Sequence, residues 1–359
     1  MSARPPIQVL VVEDSPAMCE LLVHILSADP ELLVVGTASN GEQAIEMVKR
    51  KKPDVITMDL HMPHMNGIEA VRLIMQSMPT PIVIVSGSSA TAETAETFQA
   101  LEAGALALVE KPSNSDTVKS RQLAAKLVQT VKLMAEVRVV RRWPKRTVNM
   151  TAQLAERIAS AATVDPQQVQ LVAIGASTGG PLVLQKILMG LAGKLSVPVI
   201  IVQHMANGFT SGFADWLQQS TQLPVTVAKE GEYMQPGRVY IAPEERHTEI
   251  KTGLRIKLSA AEPENGHRPA VAPLFRSAAT VLGGGAIGVL LTGMGRDGAI
   301  ELKLLRDCGA TTIAQDLQSS VVPGMPGEAI RLDAAMHVLA PDKIADVLIA
   351  LTPVHGTNN

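Results

Sequence analysis

Short apolar runs recur along this chain, each followed by a stretch with helical spacing, and that alternation does most to narrow what the chain can fold into. Runs at 7–12, 32–35, 55–58, 81–85 and 106–109 give five β/α units before residue 140. A strand that is apolar at nearly every position is covered on both faces, and strands linked through helices run parallel. Residues 1–135 are therefore expected to form a doubly wound parallel sheet. The pattern resumes at 171–175, 197–202, 239–241, 287–291, 311–314 and 337–339, which predicts a second α/β domain over 169–359 after a linker over 136–168. A length of 359 residues accommodates two such cores.

Composition removes several function classes. A formal net charge of -2 gives no global attraction to nucleic acid or an anionic membrane. The run Arg141-Arg142-Trp143-Pro144-Lys145-Arg146 is short and reads as a solvated linker that starts where a helical pattern over 116–142 stops; a short helix is expected over 151–162. No signal-like N-terminus opens the chain, and no apolar run approaches the roughly 18 residues of a membrane span. The expectation is a soluble cytoplasmic protein with no membrane insertion and no nucleic-acid partner. Cys19 and Cys308 are the only cysteines, so a disulfide scaffold is excluded, and each reads as a buried small hydrophobe.

In a doubly wound sheet, chemistry collects at the carboxyl ends of the strands. Those ends carry Glu13 and Asp14, then Asp59, Ser86 and Lys111. Carboxylates this close repel one another unless a hard cation sits among them, and Mg²⁺ suits an all-oxygen cluster of Glu13, Asp14 and Asp59. A phosphoryl group on Asp59 would meet that cation, Lys111 and Ser86. The motifs Val12-Glu13-Asp14-Ser15-Pro16, Met58-Asp59 with Asn66-Gly67, Ser86-Gly87 and Glu110-Lys111-Pro112 resemble the receiver domain of two-component response regulators. That resemblance implies phosphorylation at Asp59 and phosphoryl sensing by Ser86 and Lys111. Leu108 stands where receivers often carry an aromatic switch residue.

The second domain opens with Leu171-Val172-Ala173-Ile174-Gly175-Ala176-Ser177-Thr178-Gly179-Gly180-Pro181, a buried strand that runs through a serine into a helix start. Unpaired N–H groups at a helix N-terminus suit a developing oxyanion, although a phosphate-binding turn has the same outline. The glycine spacing is not that of a dinucleotide fold. Two further strands end in Gln203-His204 and in Gly295-Arg296-Asp297-Gly298, so a serine, a histidine and an aspartate reach one edge of one sheet. A serine needs a base to take its proton, and the imidazole needs a carboxylate to fix its tautomer. Ser177, His204 and Asp297 are accordingly expected to be catalytic, with His247, His267 and His337 as weaker competitors for the base.

Ile174-Gly175-Ala176-Ser177-Thr178-Gly179-Gly180, Gln203-His204-Met205, Thr292-Gly293-Met294-Gly295 with Asp297-Gly298, and Gly324-Met325-Pro326 resemble the chemotaxis receptor methylesterase (CheB) family. The resemblance implies a phosphorylation-activated esterase that hydrolyses glutamyl methyl esters and deamidates glutamines on methyl-accepting chemoreceptors, with a chemotaxis histidine kinase as phosphodonor. It implies Ser177 as nucleophile, His204 as base, Asp297 as orienting acid, and the backbone at Thr178 and Met294 as the oxyanion site. Mg²⁺ would serve the receiver and no cofactor would serve hydrolysis. The rival reading is a receiver-controlled binding protein without catalysis. Ala270 and Ala272 replace the family's usual Ser and Asp, and Pro323 replaces an aromatic. All three are expected to shape a receptor-facing rim.

Overall fold

A computed structural model describes residues 5–87, 91–113, 117–137, 139 and 169–352. The basic run at 141–146 and the helix expected over 151–162 lie outside the described residues. The chain divides into two compact units, Met1–Lys145 and Arg146–Asn359.

The first unit holds β1 (Ile7–Val12), β2 (Leu32–Ala38), β3 (Val55–Met58), β4 (Ile82–Ser86) and β5 (Ala107–Glu110), all parallel, in the order β2-β1-β3-β4-β5. The order reverses beside β1, and that crevice is where such sheets bind ligands. Helices α1 (Pro16–Ser27) and α5 (Val118–Ala135) pack together, as do α2 (Gly41–Lys51), α3 (Gly67–Ser77) and α4 (Thr91–Ala103). Local sequence sets the helix starts. Asn40 and Asn66 accept the Gln43 and Glu69 N–H groups at 3.0 and 2.9 Å, and Thr117 accepts that of Ser120 at 3.2 Å. The last helix ends at Ala135, short of Arg142, where Glu136 turns its N–H back onto Leu133 and Met134.

In the second unit, β6 (Leu171–Ala176), β7 (Val199–Gln203), β8 (Val225–Val227), β9 (Val239–Ile241), β12 (Ala286–Leu290), β13 (Thr311–Gln315) and β14 (His337–Leu339) form a parallel sheet in the order β14-β13-β12-β6-β7-β9-β8. Between β9 and β12 an antiparallel hairpin is inserted, β10 (His247–Lys251) paired with β11 (Arg255–Ser259). Helices α6 (Gly180–Leu191), α7 (Thr210–Thr221), α8 (Val271–Leu282), α9 (Ala299–Asp307), α10 (Gly324–Arg331) and α11 (Pro341–Leu351) cover the sheet. A core from Leu171, Ile200, Leu274, Phe275, Leu290 and Leu302 joins β6, β7 and β12 to α8 and α9. Cys308 departs from expectation: it is exposed, because it caps the end of α9 where the apolar face of that helix has run out, and Cys19 is only partly buried. Among the described residues no helix is long and apolar enough to cross a membrane.

Candidate active site

Glu13 and Asp14 follow β1, Asp59 follows β3, Ser86 ends β4 and Lys111 follows β5, so the parallel strands deliver all five to one crevice. The carboxylates of Glu13, Asp14 and Asp59 place one oxygen each within 4.8 Å of one another. The Lys111 ammonium lies 2.9 Å from Asp59 Oδ2 and from Glu13 Oε2, and 3.1 Å from Glu13 Oε1. Burial pushes the Glu13 carboxyl up, and Asp59 adds to the rise against the pull of Lys111. Burial pulls the Lys111 ammonium down, but its hydrogen bonds to Glu13 and Asp59 outweigh that and leave it raised. Glu13 Oε2 is buried without hydrogen-bond geometry to any partner, and the donor set is all oxygen. These residues fit a hard divalent cation.

In the second unit the neighbouring strands β12, β6 and β7 deliver Asp297, Ser177 and His204 to one edge. His204 Nε2 lies 3.0 Å from Asp297 Oδ2. Since an ionised carboxylate only accepts, Nε2 carries the proton and Nδ1 keeps a lone pair. That Nδ1 is buried and has no hydrogen-bond partner. Burial pushes the Asp297 carboxyl up, yet its contacts with His204, the Val271 N–H and Asn265 outweigh this and hold it below its ordinary value. The Val271 N–H donates to Oδ2 at 2.6 Å and the Ala272 N–H to Oδ1 at 3.2 Å, so Asp297 caps α8, which has no cap of its own.

The loop that carries Ser177 is held by buried polar side chains. Gln203 Nε2 donates to the Ser177 carbonyl at 2.8 Å, and the Ser177 N–H donates to the Thr292 carbonyl at 3.0 Å. Thr292 Oγ1 donates to the Thr178 carbonyl at 2.9 Å and accepts the Val322 N–H at 2.9 Å. Gly179 starts α6 at φ +78 with no side-chain cap, which leaves that helix terminus open beside the serine. A Cβ at Gly293 would lie 2.5 Å from Ser177 Cβ, so only glycine fits there. Among the described residues, neither the Thr178 nor the Met294 N–H is spent on a backbone acceptor.

Asn265 escaped the sequence reading, and His267 and His247, expected there only as weaker candidates for the base, make contacts that it did not foresee. Asn265 Nδ2 donates to Asp297 Oδ1 at 2.8 Å; its Asn-Gly pair signals a turn, but not what the side chain reaches. The His267 ring stacks on that of His204, with centroids 3.8 Å apart and planes 9° from parallel. His247, on β10, receives the Ala270 N–H at 3.2 Å, while His337 sits apart on the edge strand β14. The rim expectation fails for Ala270 and Ala272, which are fully buried behind Asp297 at the start of α8; Pro323 is exposed.

A profile of the CheB methylesterase domain matches residues 172–348, and one of the response regulator receiver domain matches 9–122. A protein-glutamate methylesterase/protein-glutamine glutaminase of Nitrosospira multiformis is 49% identical over 98% of both chains. A protein of the same description from Syntrophus aciditrophicus is 49% identical over 96% of this chain and 98% of its own. The solved methylesterase catalytic domain of Thermotoga maritima CheB is 38% identical, with a TM-score of 0.49, covering 51% of this chain and 98% of its own. With full-length identity at this level, and both domains matched in order, the chain belongs to the CheB methylesterase family and carries its response-regulator receiver N-terminal to the methylesterase domain.

Proposed function

We propose that this chain is a phosphorylation-activated serine esterase that hydrolyses glutamyl methyl esters, and deamidates specific glutamines, on bacterial chemoreceptors. The observation that carries the reading is His204, which has one ring nitrogen on the Asp297 carboxylate at 3.0 Å and the other buried and unspent. Ser177 Oγ attacks the γ-carbonyl carbon of the ester while His204 Nδ1 takes its proton. The Thr178 and Met294 N–H groups receive the oxyanion. His204 then returns the proton to the departing methanol, water attacks the acyl-enzyme with its proton passing to His204, and glutamate leaves as Ser177 is restored. An amide follows the same path with ammonia as leaving group, which agrees with the double activity in the names of the relatives.

Asp59 is the phosphorylation site in this reading, with a chemotaxis histidine kinase as donor. Mg²⁺ would be held by Glu13, Asp14 and Asp59, where its charge offsets that of the incoming phosphoryl oxygens. Lys111 and Ser86 then sense the modified Asp59. A cytoplasmic site of action follows from the partners proposed. The test is methanol release from methylated receptor membranes. Wild-type chain should release methanol and Ser177→Ala should not; equal release by both would defeat the assignment.

A further inference from the structure

The buried hairpin histidine, His247, belongs to neither the proposed triad nor the parallel sheet that carries it. Its side chain is 1% exposed, and both ring nitrogens are engaged. Nε2 lies 2.9 Å from the Glu262 carbonyl, which can only accept, so Nε2 carries a proton. Nδ1 lies 3.2 Å from the Ala270 N–H, which can only donate, so Nδ1 is bare. The ring is therefore a neutral bridge of fixed tautomer between the chain leaving β11 and the residue that opens α8.

The placement matters because Ala270 leads directly into the turn that grips Asp297. An α-helix starts with several N–H groups that lack intrahelical partners. In α8 Ala270 offers no side-chain cap, and the N–H groups are shared out: that of Ala270 goes to His247, those of Val271 and Ala272 to the Asp297 carboxylate. The hairpin is tied to α8 a second time, by the Ile250 N–H donating to Ser277 Oγ at 2.9 Å. Histidine and aspartate thus hold consecutive peptide groups of one turn, and a displacement of the Ala270 peptide moves the two α8 donors among the four that hold Asp297.

We propose that His247 is a positioning residue for ester hydrolysis: it accepts the Ala270 N–H and so fixes the start of α8, which sets the Asp297 carboxylate against His204. The proposal rests on the reading of Asp297 as the orienting carboxylate. Catalytic alignment is sensitive to sub-ångström placement, so losing the Ala270 contact should lower kcat roughly 10- to 100-fold. KM should stay within about twofold, because His247 touches nothing that binds substrate.

Two amides separate the bridge from mere packing. Asn Oδ1 occupies the same bond position as His Nδ1 and can accept the Ala270 N–H, whereas the Gln amide reaches the Nε2 position and can serve only Glu262. In the full-length chain activated by a small-molecule phosphodonor, His247→Asn should keep kcat within about threefold of wild type, while His247→Gln loses it with KM steady. In an Asp297→Asn background, adding His247→Gln should cost little more, since the effect acts through the carboxylate. Equal losses in the two amide variants, an unaffected His247→Gln, or full multiplication of the losses in the double variant would each overturn the proposal. If His247→Gln does not fold, a folded His247→Asn with a loss beyond about tenfold overturns it instead. An Asp297→Asn chain with wild-type kcat would remove the underlying reading itself.

Discussion

At the scale of single residues, Asp297 is the one fully buried carboxylate among the described residues of the second unit. Asp297 is 2% exposed yet has four donors, from His204, Asn265, Val271 and Ala272, which is how a buried charge becomes tolerable. Replacing Ser177 or His204 with alanine should cut turnover by roughly 10³-fold or more, measured as methanol release, since such residues act as a unit. A second prediction comes from the depressed Asp297 pKa. A carboxyl held lower in the folded chain stabilises the fold above its ordinary value of 3.8, and that stabilisation drains away as the pH falls through the folded value. The stability gap between wild type and Asp297→Asn should be full at neutral pH and shrink as the pH falls below 3.8 toward the folded value; a gap independent of pH in thermal melts would contradict it. The places of Asp59, Ser177 and His204 at strand ends were legible because each stands directly beyond an apolar run, whereas Asp297 comes later in the loop that follows β12. Asn265 and His247 were not legible, since their partners depend on how the inserted hairpin folds back over α8.

Among the elements, those with continuous apolar runs could be read, and those with mixed faces could not. β3, β4, β6, β7 and β12 are buried at every position. The hairpin strands His247-Thr248-Glu249-Ile250-Lys251 and Arg255-Ile256-Lys257-Leu258-Ser259 bury only alternate or scattered positions, and Ile250 pairs with Ile256 between charged neighbours. Such a short alternation looks polar in sequence. β8, Val225-Thr226-Val227, is interrupted by a threonine and so lacks the unbroken apolar run of the equally short Val239-Tyr240-Ile241. The element boundaries around the site depend instead on glycine. At Gly293 an added Cβ would press on Ser177 Cβ and Met325 Sδ, both fixed by buried surroundings. Gly293→Ala should therefore destabilise the second unit by roughly 1–3 kcal/mol and depress turnover together. Calorimetry alongside the esterase assay checks this, and a variant with wild-type melting and turnover would show that the β12 loop yields more freely than its packing implies.

For the whole molecule, the division of labour between units yields a prediction about metal. The oxygen cluster of Glu13, Asp14 and Asp59 lies in the first unit, while the proposed hydrolysis uses only Ser177, His204, Asp297 and backbone N–H groups in the second. Metal removal should therefore separate regulation from chemistry. With a small-molecule phosphodonor and Mg²⁺, the wild-type chain should release methanol faster than without the donor. Chelation by EDTA should abolish that increase and leave the basal rate intact. Asp59→Asn should keep the basal rate and show no increase under any condition, because phosphorylation would add about -1.5 to -2 charges at the one position it lacks. A fragment of the second unit, residues 146–359, contains no Asp59 and should ignore both donor and chelator. The arms fail in different ways. A basal rate lost on chelation, in the fragment as well as in the full chain, would place a metal in the hydrolytic step; a donor response that survives Asp59→Asn would move the phosphoryl group to another residue.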